Sequence, residues 1–241
     1  MTILVAGASG ATGRLLVTQL LNSGHSVKVI VRSSKIFFEY VNNHENLFVI
    51  EANILDIGES VMKEYISGCD AVASCLGHTL SFKGIYGQPR MLVTQTVQRL
   101  CDVIKINNQD KKVKFVLMNT TGNCNRDIQE QISFAQKLVM GLIRLLLPPH
   151  LDNEKAADYL RVNIGQNDDK LEWVAVRPDG LIDENEVSLY EVHPSPIRSA
   201  IFDAGQTSRI NVGNFMSELI SNDDTWNKWK GKMPVIYNKS L

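Results

Sequence analysis

A glycine-rich segment near the amino terminus carries the clearest chemical signal: residues 7–13 are Gly-Ala-Ser-Gly-Ala-Thr-Gly. An apolar run at residues 2–6 precedes it and helical apolar spacing follows at residues 14–21, so it joins a predicted strand to a predicted helix. Glycine is required where a Cβ would block a close approach, and the N–H groups of a helix N-terminus bind phosphate. The segment therefore predicts a turn that holds the pyrophosphate of a dinucleotide, the alternative being a tight turn without a ligand. The candidate contacts are Gly7, Ser9, Gly10, Ala11, Thr12 and Gly13.

A basic, hydroxyl-bearing segment follows the second predicted strand, which covers residues 26–31. A site for NAD usually has Asp or Glu here to bond the ribose 2′-hydroxyl. This chain instead has Arg32-Ser33-Ser34-Lys35, and its guanidinium, hydroxyl and ammonium groups suit a 2′-phosphate. We therefore predict NADP(H) in preference to NAD(H), with Arg32 and Ser33 as contacts; a solvated basic loop is the alternative. Asn53, after the third predicted strand, is expected to lie near the adenine.

Strands and helices alternate along most of the chain. The predicted strands cover residues 2–6, 26–31, 46–51, 70–74, 113–118 and 171–176, and the predicted helices cover residues 14–21, 58–67, 92–104, 129–147 and 152–162. This alternation predicts an α/β protein whose doubly wound parallel sheet of Rossmann type is covered by helices on both faces. Such sheets bind ligands at the carboxyl ends of their strands, where the glycine turn is expected to lie.

The carboxyl-terminal part of the chain is less regular. Residues 181–209 are predicted to be loop-like, followed by a helix at residues 212–220 and a strand at residues 234–237. A chain of 241 residues suits one α/β domain. We therefore predict a single dinucleotide-binding domain over residues 1–241, in which residues 182–241 form a small lobe on the substrate side.

Composition narrows the classes of function. The chain has 25 basic and 26 acidic side chains, which predicts neither a nucleic-acid partner nor a membrane partner. Its longest apolar stretch, residues 138–147, is too short to cross a bilayer. It is predicted to be core rather than a partner surface, although one side could roof a flat apolar substrate. The four cysteines have no metal-ligand spacing, so we expect reduced thiols and no metal site. Because the first predicted strand starts at residue 2, no signal peptide is expected, and a cytoplasmic location is predicted.

The order of motifs now supports a family resemblance. The turn at Gly7, Arg32, Cys75-Leu76-Gly77, Asn119-Thr120-Thr121 and Val176-Arg177-Pro178 each follow a predicted strand. Together they resemble the atypical short-chain dehydrogenase/reductases with an NAD(P)H-binding domain, which include NmrA-like and biliverdin reductase B/flavin reductase proteins.

The resemblance implies roles for matching positions. Leu76 and Gly77 would lie along the pyrophosphate and ribose, Thr120 would be the active-site hydroxyl, and Pro178 would flank the nicotinamide. Arg177 belongs to the same motif and is counted among the cofactor-binding residues. The family often has glycine where this chain has Asp179.

The proton donor of the wider superfamily is missing from this chain. Classical members use a Tyr-x-x-x-Lys pair, in which the lysine lowers the pKa of the tyrosine. Lys155 occupies the lysine position, but Leu151 stands where the tyrosine is expected and Tyr159 lies one turn too late. We predict that Thr120 bonds the substrate or the nicotinamide amide and that Lys155 supplies positive charge. The alternatives without a catalytic role are that Thr120 only bonds backbone groups at the strand end and that Lys155 is an exposed helix residue.

Two histidines remain open as proton donors. His150 follows a pair of prolines and could supply a proton if its loop turns inward. His78 lies in the loop after the fourth predicted strand, near the expected nicotinamide. Cys75, in the same region, is expected to be a packed residue rather than a nucleophile.

These features predict an NADPH-dependent reductase that transfers hydride to a small planar acceptor such as a flavin or quinone. A flavin can take its proton from water, so holding the two rings together suffices. The alternative is an NADP(H)-binding sensor of NmrA type, without turnover and with a protein partner. A sugar-nucleotide epimerase is a third possibility, which the missing tyrosine disfavours.

Overall fold

The computed structural model describes residues 1–79, 81–107 and 110–239. Its strands are β1 Thr2–Ala6, β2 Ser26–Val31, β3 Leu47–Glu51, β4 Ala71–Ser74, β5 Val113–Met118, β6 Leu171–Pro178, β7 Gly180–Ile182, β8 Tyr190–His193, β9 Gln206–Ser208 and β10 Val235–Asn238. Its helices are α1 Ala11–Asn22, α2 Ser34–Phe38, α3 Glu59–Ile66, α4 Phe82–Tyr86, α5 Leu92–Ile106, α6 Phe134–Leu146, α7 Pro148–Asp158, α8 Arg209–Ser221 and α9 Asp223–Trp229. Among the described residues, no helix is both long enough and apolar enough to cross a bilayer.

Eight strands form one sheet in the order β3-β2-β1-β4-β5-β6-β10-β8. All neighbours in it are parallel except β10 and β8, which pair antiparallel. The order runs from β1 outward in both directions, so β1 and β4 flank a topological switch point. This is the predicted Rossmann-type sheet, and its ligand-binding edge lies where β1 and β4 end.

The sheet has a hydrophobic core on each face. Successive residues of β1 alternate between them: Ile3 and Val5 pack with α1, α8 and α9, whereas Leu4 and Ala6 pack with α3, α5 and α7. A strand buried on both faces must be apolar throughout, which explains why the strands appear as continuous apolar runs. Full burial of one large aliphatic side chain contributes about 1.5–3 kcal/mol, so the two cores hold the sheet edge firmly in place.

The region around the two prolines differs from its prediction. Helix α6 begins at Phe134 rather than residue 129, because the Ser133 hydroxyl accepts a hydrogen bond from the Gln136 N–H and caps the helix. Pro148 and Pro149 form the first turn of α7, where a missing N–H has no cost. Helix α7 therefore starts four residues earlier than predicted, and it continues as a π-helical turn over Tyr159–Ile164.

The carboxyl-terminal part is more integrated than predicted. The segment predicted as a loop contains β7, β8 and β9, and β10 extends the main sheet beside β6. Helix α8 packs on α1, and Trp226 and Trp229 of α9 are buried in the same core. Residues 182–239 thus supply sheet and core, and the predicted substrate-side role of residues 182–241 stays a prediction.

Asp179, which stands where the family often has glycine, has a structural role in this protein. Its carboxylate accepts hydrogen bonds from the Thr121 hydroxyl at 3.0 Å and the Gly205 N–H at 2.9 Å. It joins the loop after β5 to the segment before β9.

Candidate functional site

The glycine turn connects β1 to α1, as predicted. Gly7 has φ +77°, and a Cβ there would lie 2.6 Å from the carbonyl carbon of Cys75 at the end of β4. A Cβ on Gly13 would lie 2.2 Å from the carbonyl oxygen of Gly7, so only glycine lets α1 approach the turn. Helix α1 begins at Ala11, and the N–H groups of its first turn have no acceptor within the helix. The turn therefore presents free N–H groups to an anion.

The turn forms one wall of a cleft of about 440 Å³ at the switch point. Seven of the predicted contacts line it together, namely Gly7, Ser9, Gly10, Arg32, Asn53, Leu76 and Gly77. Thr79, Gln88, Pro89 and Leu92 line it as well, although no motif marked them. They belong to the segment between β4 and α5 and to the first residue of α5, which only the tertiary structure brings to the same cleft as the glycine turn.

The predicted 2′-phosphate end contains one carboxylate that the sequence analysis missed. Arg32 is exposed at the cleft, with no hydrogen bond or ion pair to the described residues. The Ser33 hydroxyl caps α2, and the Ser34 N–H donates to Glu51 Oε2 at 2.9 Å. The Ser34 hydroxyl also donates to Glu51, and this bond lowers the pKa of the Glu51 carboxyl.

Glu51 ends β3 rather than β2, so it lies outside the position where a nucleotide-binding acid is usually sought. The parallel register pairs Val31 with Glu51, which brings the carboxylate beside the segment after β2. The alignment of the predicted second and third strands in a parallel sheet is the signal from which Glu51 could have been found. The predicted 2′-phosphate end therefore contains a carboxylate as well as the predicted cationic and hydroxyl groups.

Thr120 lies at the carboxyl end of β5 and is half-buried. Its hydroxyl oxygen accepts a hydrogen bond from the Gly122 N–H at 3.2 Å, and the Asn119 side chain accepts one from the Thr120 N–H at 2.9 Å. The hydroxyl thus supports the turn and retains its own proton for a second partner.

Lys155 does not enter the cleft. It is exposed in the interior of α7 and makes no hydrogen bond or ion pair with the described residues. Tyr159, one turn later, donates its phenolic proton to Asp102 at 2.8 Å, and burial raises its pKa. The structure therefore brings neither member of a tyrosine–lysine pair to the end of β5.

The structure places Arg177 in the scaffold rather than in the cleft. Its guanidinium is fully buried and donates to the Met233 carbonyl at 2.7 Å, the Asn123 carbonyl at 2.8 Å and the Glu130 carboxylate at 2.7 Å. Pro178 is also buried, and its carbonyl accepts from the Thr121 N–H at 3.1 Å. The donors of Arg177 are therefore used within the protein, and its contact with the cofactor stays a prediction.

His78 forms a buried ion pair that motif analysis did not reveal. Its Nε2 lies 2.7 Å from Asp152 Oδ2, and its Nδ1 lies 3.1 Å from the Gly84 carbonyl oxygen. Both neighbours present acceptor oxygens, so both ring nitrogens donate when the ring is protonated. The hydrogen bond to Asp152 raises the pKa of His78 accordingly.

Asp152 links this histidine to the start of α5. Its carboxylate accepts the N–H groups of Val93 and Thr94, each at 2.8 Å, so it caps α5 from another helix. Burial raises the pKa of Asp152, but the bonds from His78 and Thr94 outweigh it and the pKa falls. The pair secures the wall of the cleft, and both ring nitrogens of His78 already have partners within the protein.

His150 lies nearer to the turn after β5. Its ring carbon Cε1 would be 3.3 Å from a Cβ on Gly122, beside Met140. Burial lowers the pKa of His150, and its ring has no hydrogen-bond partner among the described residues. Cys75 is packed against Met216, and burial raises its pKa to about 12, which argues against a nucleophile.

Comparisons with known proteins agree with this geometry. The model of a family described as NAD(P)H-binding matches residues 7–223, whereas the comparison with curated proteins found no match. A Streptococcus pneumoniae protein provisionally named an NADH-flavin reductase has 16% identity and a TM-score of 0.68, with 99% of this chain and 100% of that chain covered.

Two further solved structures are similar over nearly their whole length. A Bacillus halodurans protein provisionally named an NAD-dependent epimerase/dehydratase has 20% identity and a TM-score of 0.69, with 100% of this chain and 95% of that chain covered. A short-chain dehydrogenase/reductase of wide type from Veillonella parvula, solved in complex with NADP, has 15% identity and a TM-score of 0.67, with 99% and 95% covered. At these identities the likeness concerns the fold.

Proposed function

Because this chain belongs to the NAD(P)H-binding family, we propose that it is an NADPH-dependent reductase that transfers hydride to a planar acceptor such as a flavin or quinone. The observation that carries the proposal is the cleft at the switch point, where the glycine turn and Arg32 lie on one connected surface. This is the position at which doubly wound sheets bind dinucleotides.

The residues present fit such a cofactor. The turn is open because Gly7, Gly10 and Gly13 have no side chains, and α1 directs free N–H groups toward a pyrophosphate. Arg32, unpaired among the described residues, is placed to bond a 2′-phosphate. Asn53 lies in the cleft wall for the adenine end, with its amide donating to Asp56 at 2.8 Å.

Reduced nicotinamide supplies the hydride, and the protein supplies position and polarity. The Thr120 hydroxyl has a proton free for the nicotinamide amide or the acceptor. His78 and Asp152 fix the segment between β4 and α5, which lines the proposed cofactor cleft. With Leu151 in the tyrosine position, an acceptor that takes its proton from water suits this site better than a carbonyl.

The similar proteins support the proposal by analogy. One bears the name of an NADH-flavin reductase, and another was solved with NADP. The preference for NADPH over NADH rests on Arg32 and on the absence of an acid at the end of β2. Glu51 weakens that preference, because its carboxylate holds the Ser34 donors.

A second function, an NADP(H) sensor without turnover, is favoured by one observation. The structure brings neither Lys155 nor a tyrosine to the end of β5, so the usual proton-transfer pair is absent from the cleft. A sensor would need the cofactor site alone and a protein partner that detects its occupancy.

The test is a titration of the purified protein with NADPH and NADH, followed by turnover with a panel of flavins and quinones. Energy transfer from tryptophan to the reduced nicotinamide reports binding, and loss of nicotinamide absorbance reports turnover. We expect tighter binding of NADPH and acceptor-dependent oxidation. Tight binding with no oxidation across the panel would support the sensor, and no binding of either nucleotide would overturn both functions.

A further inference from the structure

A buried histidine lies directly beside the lining of the proposed cofactor cleft. His78 precedes Thr79, which lines the cleft, and the side chain of His78 is only 6% exposed. Its ring lies between two helices, with Nε2 at 2.7 Å from Asp152 Oδ2 on α7 and Nδ1 at 3.1 Å from the Gly84 carbonyl oxygen on α4. The ring therefore joins a cleft-lining segment to two different parts of the protein.

The contact with Gly84 lies where α4 packs on Thr79. A Cβ on Gly84 would be 2.1 Å from the Thr79 hydroxyl oxygen, so the two backbones approach closely. The Gly84 N–H donates to the Ser81 hydroxyl at 3.1 Å, and the Ser81 N–H donates to the Thr79 carbonyl at 2.8 Å. Gly84 is thus linked to the cleft wall, and a change at the Nδ1 contact of His78 reaches that wall.

Asp152 extends the connection to the other end of the segment between β4 and α5. Its carboxylate accepts the N–H groups of Val93 and Thr94, each at 2.8 Å, and Leu92, the residue before them, lines the cleft. The Asp152 side chain is fully buried. One carboxylate therefore holds both ends of the segment, and His78 is its link to the first end.

The two contacts of the ring need two protons. The protonated ring donates to both acceptor oxygens, whereas a neutral ring has one N–H, so one nitrogen then faces an oxygen without a hydrogen bond. The hydrogen bond to Asp152 raises the pKa of His78 and outweighs the effect of burial, which lowers it. Asp152 is the charged group that faces the ring from α7, while α4 presents the Gly84 carbonyl and α5 presents uncharged N–H groups to Asp152.

We propose that the protonated ring of His78 is a positioning group for the nucleotide, and that the affinity for the nucleotide falls when the ring loses its proton. The inference rests on the proposed function, because it needs the nucleotide in this cleft. The affinity is fully present below the unfolded pKa of about 6.5 and falls as the pH rises through the folded pKa, which lies higher. The coupling is reciprocal, so the protein takes up protons when the nucleotide binds.

Ionisation of the nucleotide itself has the opposite sign. The second ionisation of a phosphate group has a pKa of about 6, so the 2′-phosphate gains charge as the pH rises and should bind Arg32 more tightly. NADH has no 2′-phosphate. A loss of affinity at higher pH that appears with both nucleotides therefore belongs to the protein.

The test measures the dissociation constants of NADPH and NADH from about pH 5.5 to about pH 9 for the wild type and His78→Gln. Glutamine keeps an N–H donor but does not titrate. His25→Gln is the matched control, because His25 Nε2 lies 2.8 Å from the Ser221 hydroxyl, outside the cleft lining. We expect the wild-type affinity for NADH to fall about three- to tenfold across the range, His78→Gln to bind weakly at every pH, and His25→Gln to follow the wild type.

Parallel pH profiles of the wild type and His78→Gln for both nucleotides would overturn this inference and leave the proposed function in place. No binding of either nucleotide by the wild type would overturn both. The thermal midpoint at each pH confirms that the proteins are folded. If His78→Gln unfolds, the wild type decides the question: calorimetric titration with NADH in buffers of different ionisation enthalpy measures proton uptake. Binding without proton uptake between about pH 6.5 and about pH 8.5 would also overturn the inference.

Discussion

The glycine turn is built by neighbours in the sequence, whereas the end of β5 is built by partners from distant parts of the chain. Gly7, Gly10 and Gly13 shape the turn within seven residues, and the strand and helix on either side follow directly. Near Thr120, the Asn119 amide instead donates to the Asn153 carbonyl at 2.9 Å. The nucleotide side can therefore be recognised from a motif, while the acceptor side depends on how α7 docks.

The largest effect is expected from a substitution that disrupts the glycine turn on the nucleotide side. Gly13→Ala places a Cβ 2.2 Å from the Gly7 carbonyl oxygen, so α1 must move away from the turn. We expect a loss of about 2–4 kcal/mol in the free energy of unfolding and loss of nucleotide binding, measured by urea denaturation and NADPH titration. Gly141→Ala is the control, because that helical glycine has open space around its Cβ position. Equal stability of the two variants would contradict the close approach.

The next effect concerns Arg32. Arg32→Glu removes a charge-assisted contact to the 2′-phosphate and introduces repulsion, so NADPH binding should weaken roughly ten- to a hundredfold. NADH lacks that phosphate and should bind almost unchanged. Parallel titrations with both nucleotides measure the ratio. An equal loss for both would remove Arg32 from its proposed role.

At the wall of the cleft opposite the glycine turn, His78→Gln removes the ion pair with Asp152. The thermal midpoint should fall by roughly 5 °C. Because the pKa of His78 is raised in the folded state, its stabilisation is complete below its unfolded pKa of about 6.5 and is lost as the pH rises through the folded pKa.

The pH dependence of the midpoint separates this ion pair from simple packing. The lowered pKa of Asp152 makes its contribution complete above its unfolded pKa and removes it as the pH falls through the folded pKa. The difference between wild type and His78→Gln should therefore be largest in mildly acidic solution and shrink in alkaline solution. A difference that does not vary with pH would show that the ring acts through packing alone.

A smaller effect on the affinity for NADPH is expected from Glu51. Glu51→Gln removes a carboxylate beside the proposed 2′-phosphate position and loosens its hold on Ser34. We expect NADPH to bind about two- to fivefold more tightly, with NADH unchanged. Fluorescence titration measures both, and Glu45→Gln serves as an exposed acidic control outside the cleft lining. Weaker NADPH binding in Glu51→Gln would mean that the carboxylate positions Ser34 for the cofactor.

The smallest effect is expected for Lys155. Lys155→Ala should change acceptor turnover by less than about twofold, because the side chain is exposed and outside the cleft. Thr120→Val is the comparison, and its loss of one hydrogen bond should lower turnover roughly two- to tenfold. Steady-state kinetics with the best acceptor distinguishes them. A large loss in Lys155→Ala would show that α7 turns this residue inward when the acceptor binds.

The amino acids by themselves determined most strands of the main sheet, the glycine turn and seven residues of the cleft lining. Apolar runs and helical spacing act between near neighbours, so the pattern at residues 2–31 predicted β1, α1 and β2 closely. The sequence also shows that the usual tyrosine is replaced by Leu151, whose side chain has no proton to transfer.

The partners and the exposure of several polar and apolar side chains depend on the tertiary structure alone. The register of β2 and β3 brings the Glu51 carboxylate within hydrogen-bond distance of Ser34. The Arg177 guanidinium donates to Glu130 and to two backbone carbonyls. Helix α6 is left largely exposed, contrary to the prediction that residues 138–147 are core. A residue's type states what it can bond, but whether a partner or solvent meets it depends on elements that pack from far along the chain.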